Sequence, residues 1–155
     1  MYKIVRKQKL NPTVILMEID APFIARKAEP GQFVILRVDE DGERIPLTVA
    51  DQDRERGLVT IIFQIVGATT ELLNVKQQGE YIQDIVGPLG KPSECEGFKK
   101  VCVVGGGVGN AIAYPTAKKM HELGTDVTIA DAVPSGRRYR DEPGDEIPRR
   151  SAGFP

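Results

Sequence analysis

A cluster of glycines in this sequence has the residue type and position that could bind a phosphate. It follows one apolar run and precedes an amphipathic stretch, and its members are Gly105, Gly106, Gly107 and Gly109. Such a turn between a strand and a helix lets backbone N–H groups approach a phosphate at the positive end of the helix dipole. Asp131, 22 residues beyond Gly109, ends a second apolar run, where a dinucleotide-binding unit places the acid that bonds a ribose hydroxyl. The alternative is that the glycines only permit a tight turn and close helix–strand packing.

The sequence lacks the residue patterns of a catalytic site that works without a cofactor. The sequence shows no spacing typical of a metal site, a nucleophile with its base, or a pair of catalytic carboxylates. Cys95 and Cys102 are seven residues apart without a CxxC partner, and we interpret both as ordinary thiols. This pattern suits a protein in which a cofactor carries the chemistry and the chain orients it.

Composition narrows the class of protein further. The formal net charge is −1, which gives no sign of a nucleic-acid-binding surface. No apolar run approaches the roughly 20 residues that span a bilayer, and the opening MYKIVRKQKL lacks the apolar centre of a signal peptide. We therefore expect a soluble cytoplasmic protein that binds neither membrane nor nucleic acid.

Elements that could position the glycine cluster are visible along the whole chain. One short helix is predicted in TTELLNVKQQG, before the last of six short strands. The six predicted strands lie in YKIVRKQKL, TVILMEID, residues 32–38, residues 45–50, GLVTIIFQIVG and YIQDIVG. Turn residues such as Asn11-Pro12, Pro30-Gly31 and Asp41-Gly42 separate them. Short strands at this spacing are typical of a small antiparallel β barrel, predicted over residues 1–92.

The glycine cluster belongs to a second unit with a different periodicity. Val101–Val104 and Val127–Ala130 are predicted as strands and Gly109–Leu123 as the helix between them, which is the βαβ pattern of a parallel sheet. A parallel sheet of two strands cannot bury both of its faces. We therefore expect residues 98–131 to be the start of an incomplete α/β nucleotide-binding domain. Residues 132–155, rich in proline and arginine, are predicted to be disordered or irregular.

Five stretches in a fixed order give this chain a family resemblance. PGQFVILRV, RIPLTVAD, FQIVGATTELL, DIVGPLGKP and VVGGGVG resemble the ferredoxin–NADP reductase-like flavoproteins over about residues 1–131. Within that family, the chain resembles the electron-transfer subunit of dihydroorotate dehydrogenase and the alpha subunit of NADH-dependent ferredoxin:NADP oxidoreductase. The resemblance implies an FAD-binding barrel over residues 1–92 and an NAD(P)H-binding domain that begins near residue 98.

The resemblance also implies roles for individual residues. The family's Arg-Pro-Ile/Leu-Ser stretch matches Ile45-Pro46-Leu47-Thr48, so the Thr48 hydroxyl would bond flavin N5 at the catalytic centre. Arg44 lies one position before the family's arginine and could still reach an FAD phosphate. Phe63-Gln64-Ile65 would meet the flavin through backbone groups. Gly67, Thr69 and Thr70 would bind the pyrophosphate, although either threonine could instead only cap the helix. Gly105, Gly106, Gly107 and Gly109 would contact NAD(P)H.

Two functions of different classes follow from the resemblance. The first is an FAD-dependent oxidoreductase subunit or fragment that takes hydride from NAD(P)H. Because the family's cluster-binding cysteines are absent here, its electrons would pass to an iron–sulfur or ferredoxin-type partner. The second is a non-catalytic flavin-binding or interaction module that is inactive alone. A small dehydrogenase without flavin ranks last, since it leaves residues 1–92 unexplained.

Overall fold

Nine strands and three helices are present in the computed structural model, which describes residues 1–132. Their order along the chain is β1 (Tyr2–Lys9), β2 (Val14–Asp20), α1 (Pro22–Lys27), β3 (Phe33–Arg37), β4 (Arg44–Asp53), β5 (Leu58–Gln64), α2 (Ala68–Val75), β6 (Tyr81–Ile82), β7 (Asp84–Leu89), β8 (Lys100–Gly105), α3 (Gly109–Glu122) and β9 (Asp126–Asp131). None of the helices within residues 1–132 has the length and apolar character needed to cross a membrane.

The first seven strands form one antiparallel sheet that rolls up into a nearly closed barrel. Its strand order is β6-β1-β2-β5-β4-β3-β7. The two edge strands are consecutive in the chain, because β6 ends at Ile82 and β7 begins at Asp84. A flat sheet would separate these edges by its full width, so the sheet must curl until they meet. The Gln83 N–H, between them, donates to the carbonyl of Val38 and holds this seam.

Alternation of side chains along the strands builds the core inside the barrel. On β2 and β5 the paired residues Ile15–Phe63, Met17–Ile61 and Ile19–Val59 all point inward and are at most 2% exposed. Other elements complete the same cluster with Ile4, Ile24, Val34, Leu36, Val49, Leu73, Ile82 and Ile85. Because the core occupies the inner faces of β4 and β5, only the outer faces of these strands and their ends are left for binding.

The second unit is a parallel pair of strands, β8 and β9, joined by α3. One face of α3 packs against the barrel, where Pro115, Ala117 and Met120 are buried. On the strands, Val104 is 63% exposed and Ile129 is 44% exposed. The two strands therefore leave part of their apolar surface uncovered within the described residues, as expected of so small a parallel sheet.

Two details of the predicted elements were wrong, although the antiparallel barrel followed by a partial α/β unit is confirmed. Helix α1 was not predicted, because it has only six residues and no polar N-cap residue before Pro22. YIQDIVG was predicted as one strand but contains parts of β6 and β7, which lie on opposite edges of the sheet. The prediction for residues 132–155 lies outside the described residues, apart from Ala132.

Candidate functional site

Strands β4 and β5 separate at one end of the barrel, and this separation creates the first part of the site. Their ladder runs from Asp53–Leu58 to Val49–Ile61 and ends there. Beyond that pair, residues 44–48 are in register with β3 and residues 62–64 with β2. We call the gap between residues 44–48 and 62–65 the β4–β5 opening. Backbone groups on its two sides have no cross-strand partner over the gap, which makes them available to a ligand.

The residues expected to contact a flavin lie along this opening, with side chains on both faces of the sheet. Ile45 and Leu47 are partly buried against the core, as is Ile65 from the other side. Pro46 and Thr48 alternate to the outer face, where Thr48 is opposite Phe33 on β3. The structure thus places the Thr48 hydroxyl outside the core, where it is accessible to a ligand.

Phe63 and Gln64, on the β5 side of the opening, also point to opposite faces of the sheet. The Phe63 side chain is 2% exposed and belongs to the core. Gln64 is exposed and lies on the outer face. The Phe63 side chain is therefore closed to a ligand, whereas Gln64 can offer its side-chain amide. The Ile65 N–H already donates to the Thr13 carbonyl at 2.8 Å.

The first turn of α2 closes one end of the opening and is suited to an anion. No acceptor within residues 1–132 is bonded to the N–H groups of Ala68, Thr69 and Thr70, which begin the helix. The N-cap residue Gly67 has open space where a side chain would stand. Free donors at the positive end of a helix, without side chains in front of them, form an anion site.

The two threonines of this turn have different surroundings. The Thr70 Oγ1 accepts hydrogen bonds from the N–H groups of Val66 (2.9 Å) and Gly67 (3.1 Å) and donates to the Gly67 carbonyl (2.8 Å). Its hydroxyl is thus used in shaping the turn. Within residues 1–132, the Thr69 Oγ1 makes only a long 3.4 Å contact with Glu43. Thr69 is therefore the more available hydroxyl, and the exposed Glu43 carboxylate must turn away before an anion can bind beside it.

A row of charged side chains on the outer face begins next to this turn. The Arg44 guanidinium forms a 2.7 Å ion pair with Asp84 on β7, which occupies the charge that could have met a phosphate. Arg37 stands between them in register with both residues. Its Nη1 donates to the Glu40 carbonyl, while its Nε is buried and has no acceptor in the described structure. Arg37 had no signal in the sequence, because only strand pairing places it beside Arg44.

The glycine cluster forms the second part of the site, and its members have separate roles. A Cβ on Gly105 would lie 2.2 Å from the Asn110 Oδ1, and one on Gly106 would lie 2.7 Å from the Ala132 carbonyl oxygen. Gly107 has φ +56°, a conformation that favours glycine, whereas Gly109 has no neighbour among the described residues within 4 Å of its Cβ position. Close packing thus explains the first two glycines, and the latter two leave the turn open to a ligand.

Asp131 is already bonded within this unit. The Asn110 Nδ2 donates to its Oδ1 at 3.0 Å and so ties the start of α3 to the end of β9. The Asn110 Oδ1 is buried and lacks a donor within the described residues. A ribose hydroxyl at Asp131 would have to use its other oxygen or displace Asn110, an arrangement that the sequence did not indicate.

The barrel and the second unit share one cleft. A space of about 440 Å³ lies between them. The barrel lines it with Val14, Ile62 and Gln64, and the second unit lines it with Gly107, Asn110 and Tyr114. A residue predicted to contact a flavin, Gln64, thus shares this cleft with Gly107, predicted to contact NAD(P)H.

An ion pair holds α3 against the strand that carries the opening. The Lys118 Nζ lies 3.0 and 3.1 Å from the two carboxylate oxygens of Asp51 on β4. Burial alone would lower the pKa of Lys118, but its hydrogen bonds and charge interaction with Asp51, helped by Tyr114 and Glu122, raise the pKa above the ordinary value. The Thr116 hydroxyl also donates to the Ser93 Oγ at 3.2 Å. These contacts join α3 to β4 and to the loop that contains Ser93.

Comparison with known proteins gives consistent matches over most of the chain. No family model matches it. A dihydroorotate dehydrogenase B electron transfer subunit homolog from Thermotoga maritima is 48% identical over 126 residues, which are 81% of this chain and 45% of the relative. The corresponding electron transfer subunit from Desulforamulus reducens is 32% identical over 136 residues, covering 82% of this chain and 50% of the relative. The chain therefore spans about half the length of these relatives.

Solved structures match in the same way. The structure of an NADH-dependent reduced ferredoxin–NADP oxidoreductase that carries out flavin-based electron bifurcation aligns with a TM-score of 0.83 and 46% identity. The alignment covers 84% of this chain and 48% of that one. Phthalate dioxygenase reductase aligns with a TM-score of 0.70 at 18% identity, covering 87% of this chain and 44% of that one, and so shows a shared fold only.

Proposed function

This chain belongs to the ferredoxin–NADP reductase-like flavoprotein family, and from that premise we propose that it binds FAD in the β4–β5 opening and receives hydride there from NAD(P)H. The observation that carries the proposal is the shared cleft, in which Gln64 of the barrel faces Gly107 of the glycine turn. A dinucleotide on the turn and a flavin in the opening would then lie close enough to react, which is the main task of such a protein.

FAD fits the groups that the structure provides. The unbonded N–H groups of Ala68, Thr69 and Thr70, with open space at Gly67, suit a pyrophosphate. Strands that part without a cross-strand ladder suit a flat ring with polar edges, because their free backbone groups can bond to those edges. Hydride acceptance and the release of single electrons are the chemistry that FAD supplies when bound.

The chain's own residues would orient the reacting groups and keep water away. Thr48 would donate its hydroxyl hydrogen to flavin N5, and those backbone groups of residues 63–65 that do not pair with β2 or Thr13 would bond the ring. The Thr69 hydroxyl and the first-turn N–H groups of α2 would hold the pyrophosphate. Arg44 would join them only after leaving Asp84, so we assign it the weakest contribution. Gly107 and Gly109 would admit the phosphates of NAD(P)H.

Electrons would leave this chain for a separate iron–sulfur or ferredoxin-type carrier, which we propose as its partner. The relatives are named as electron transfer subunits, which supports a partner subunit. The chain has two cysteines, Cys95 and Cys102. Both are free thiols, which supports our further proposal of a cytoplasmic location.

A visible absorption spectrum of the purified protein, before and after addition of FAD, tests the proposal first. We expect a bound flavin band that survives gel filtration. Anaerobic mixing of the loaded protein with NADH or NADPH then tests the reaction, through bleaching of that band. A colourless protein that takes up no FAD would remove the basis of the proposal.

A second function is favoured by the exposed apolar residues of the two-stranded sheet. Since Val104 and Ile129 remain 63% and 44% exposed, residues 98–131 supply few contacts to position a nicotinamide. The chain could then bind flavin without rapid turnover of NAD(P)H and act as a flavin-binding or interaction module. Normal FAD uptake with very slow bleaching would identify this second function, because misplaced reactants lose most of the benefit of proximity.

A further inference from the structure

Helix α2, the proposed phosphate-binding helix, has little to hold it in place. It contains eight residues, of which Leu73 alone is buried, and its last residue, Val75, is 68% exposed. A helix of this length is unstable in water without external contacts. Its last turn also contains no basic residue to balance the negative end of the helix dipole.

A distant lysine supplies the missing charge at that end. The Lys7 Nζ, on β1, donates hydrogen bonds to the backbone carbonyls of Asn74 and Lys76, the latter at 3.0 Å. The last carbonyls of a helix have no partners inside it. Lys7 therefore satisfies two such groups and places a positive charge at the negative end of α2, across 67 and 69 residues of chain.

The position of Lys7 is specific to this contact. Its ammonium is partly removed from water, and this burial lowers its pKa even though Glu80 acts in the opposite direction. Lys9, two residues further along the same strand, is exposed, and its ammonium makes no hydrogen bond or ion pair within the described part of the chain. The two lysines differ mainly in whether they reach α2.

We infer that Lys7 is a positioning residue for the cofactor's pyrophosphate, acting through α2. This inference rests on the proposed function. Eight residues of α-helix are roughly 12 Å long, so a contact that fixes the last turn also sets where the first-turn N–H groups of Ala68, Thr69 and Thr70 point. Lys7 itself would touch no part of the cofactor.

Comparing the affinities for FAD and for riboflavin, which lacks the pyrophosphate, distinguishes positioning of the pyrophosphate by Lys7 from a general effect on the stability of the barrel. We expect Lys7→Met to weaken FAD binding about tenfold, the scale of losing hydrogen bonds from a charged group. Riboflavin affinity, which depends on the β4–β5 opening alone, should change less than about twofold. Lys7→Arg should recover most of the FAD affinity, and the control Lys9→Met should leave both affinities unchanged. Titration of flavin fluorescence measures all of these.

Amide hydrogen exchange without any flavin gives a readout that does not depend on the proposed function. Lys7→Met should speed exchange in residues 72–76 and leave β2 and β5 unchanged, while Lys9→Met should do neither. Unchanged exchange in α2 would overturn the inference, as would equal losses of FAD and riboflavin affinity. If the wild-type protein binds no FAD at all, the proposed function fails, and the exchange experiment still decides whether Lys7 holds α2.

Discussion

Replacing the two threonines at the start of α2 one at a time should separate cofactor binding from folding. The Thr70 hydroxyl makes three local hydrogen bonds, at 2.9, 3.1 and 2.8 Å. Each such bond contributes about 0.5–1.5 kcal/mol, and water can replace some of them because Val66 and Gly67 are exposed. Thr70→Ala should therefore lower the free energy of unfolding by about 1–2 kcal/mol, similar to the loss of a helix cap.

Thr69→Ala should lower FAD affinity and leave the free energy of unfolding nearly unchanged. Its hydroxyl has only the 3.4 Å contact with the exposed Glu43, so the free energy of unfolding should change by less than about 0.5 kcal/mol. A hydrogen bond to a charged phosphate is worth about 1.5–3 kcal/mol, so FAD affinity should fall by roughly 10-fold to 150-fold.

Two measurements on each variant test this reasoning. Urea unfolding of the flavin-free protein gives stability, and calorimetric titration with FAD gives affinity. Thr128→Ala, at an exposed site on β9, should alter neither and serves as the control. If Thr69→Ala binds FAD as tightly as wild type while melting earlier, Thr69 is only a helix-capping residue and the pyrophosphate assignment is refuted.

Three further predictions concern the second unit and its contact with the barrel. Iodoacetamide at neutral pH should label the exposed Cys102 well before Cys95, because Cys95 is 8% exposed and burial raises the pKa of its thiol; equal rates by mass spectrometry would contradict this. Gly105→Ala should destabilise the second unit by about 1–3 kcal/mol, because its Cβ would overlap the Asn110 side-chain oxygen on α3. Gly109→Ala has open space at its Cβ position among the described residues and should be neutral or stabilising by up to about 1 kcal/mol. Thermal unfolding measures both effects. Because the pKa of Lys118 is raised in the folded protein, its charge stabilises the fold fully below about pH 10.5, and this contribution is lost as the pH rises through the folded-state pKa. In Lys118→Met, the free energy of unfolding should therefore depend less on pH in that alkaline range and be unchanged in its pH dependence elsewhere.

Local sequence patterns were sufficient for most of the fold. The run of β-branched residues in GLVTIIFQIVG predicted β5, which ends three residues earlier than expected, and the glycine turn predicted α3 to within one residue of its observed bounds. Where prediction failed, the deciding interaction was distant or the signal was too short. The break between β6 and β7 is caused by closure of the barrel, which pairs Tyr2 with Ile82, and no pattern near residue 83 reveals it.

For the candidate site, the sequence indicated only residues that are contiguous in the chain. Thr48, residues 67–70 and residues 105–109 were proposed because each stretch is continuous and resembles a family motif, and their roles stay predictions. Arg37, the Asp51–Lys118 ion pair and the reach of Lys7 to α2 were not found. Each depends on partners that strand pairing or helix packing brings together, 67 residues apart for Asp51 and Lys118, and such pairs leave no local periodicity.

The meeting of β6 and β7 at the seam of the barrel has a consequence for biosynthesis. While the ribosome is still extending the chain, β1 and β3 must wait with open edges, since β6 pairs with β1 and β7 with β3. Unpaired edges of this kind recruit strands from other chains, and contacts between distant residues form slowly. Emergence of residues 81–89 from the ribosome therefore protects both edges almost simultaneously, and a nascent chain that stalls before them is the form most exposed to aggregation.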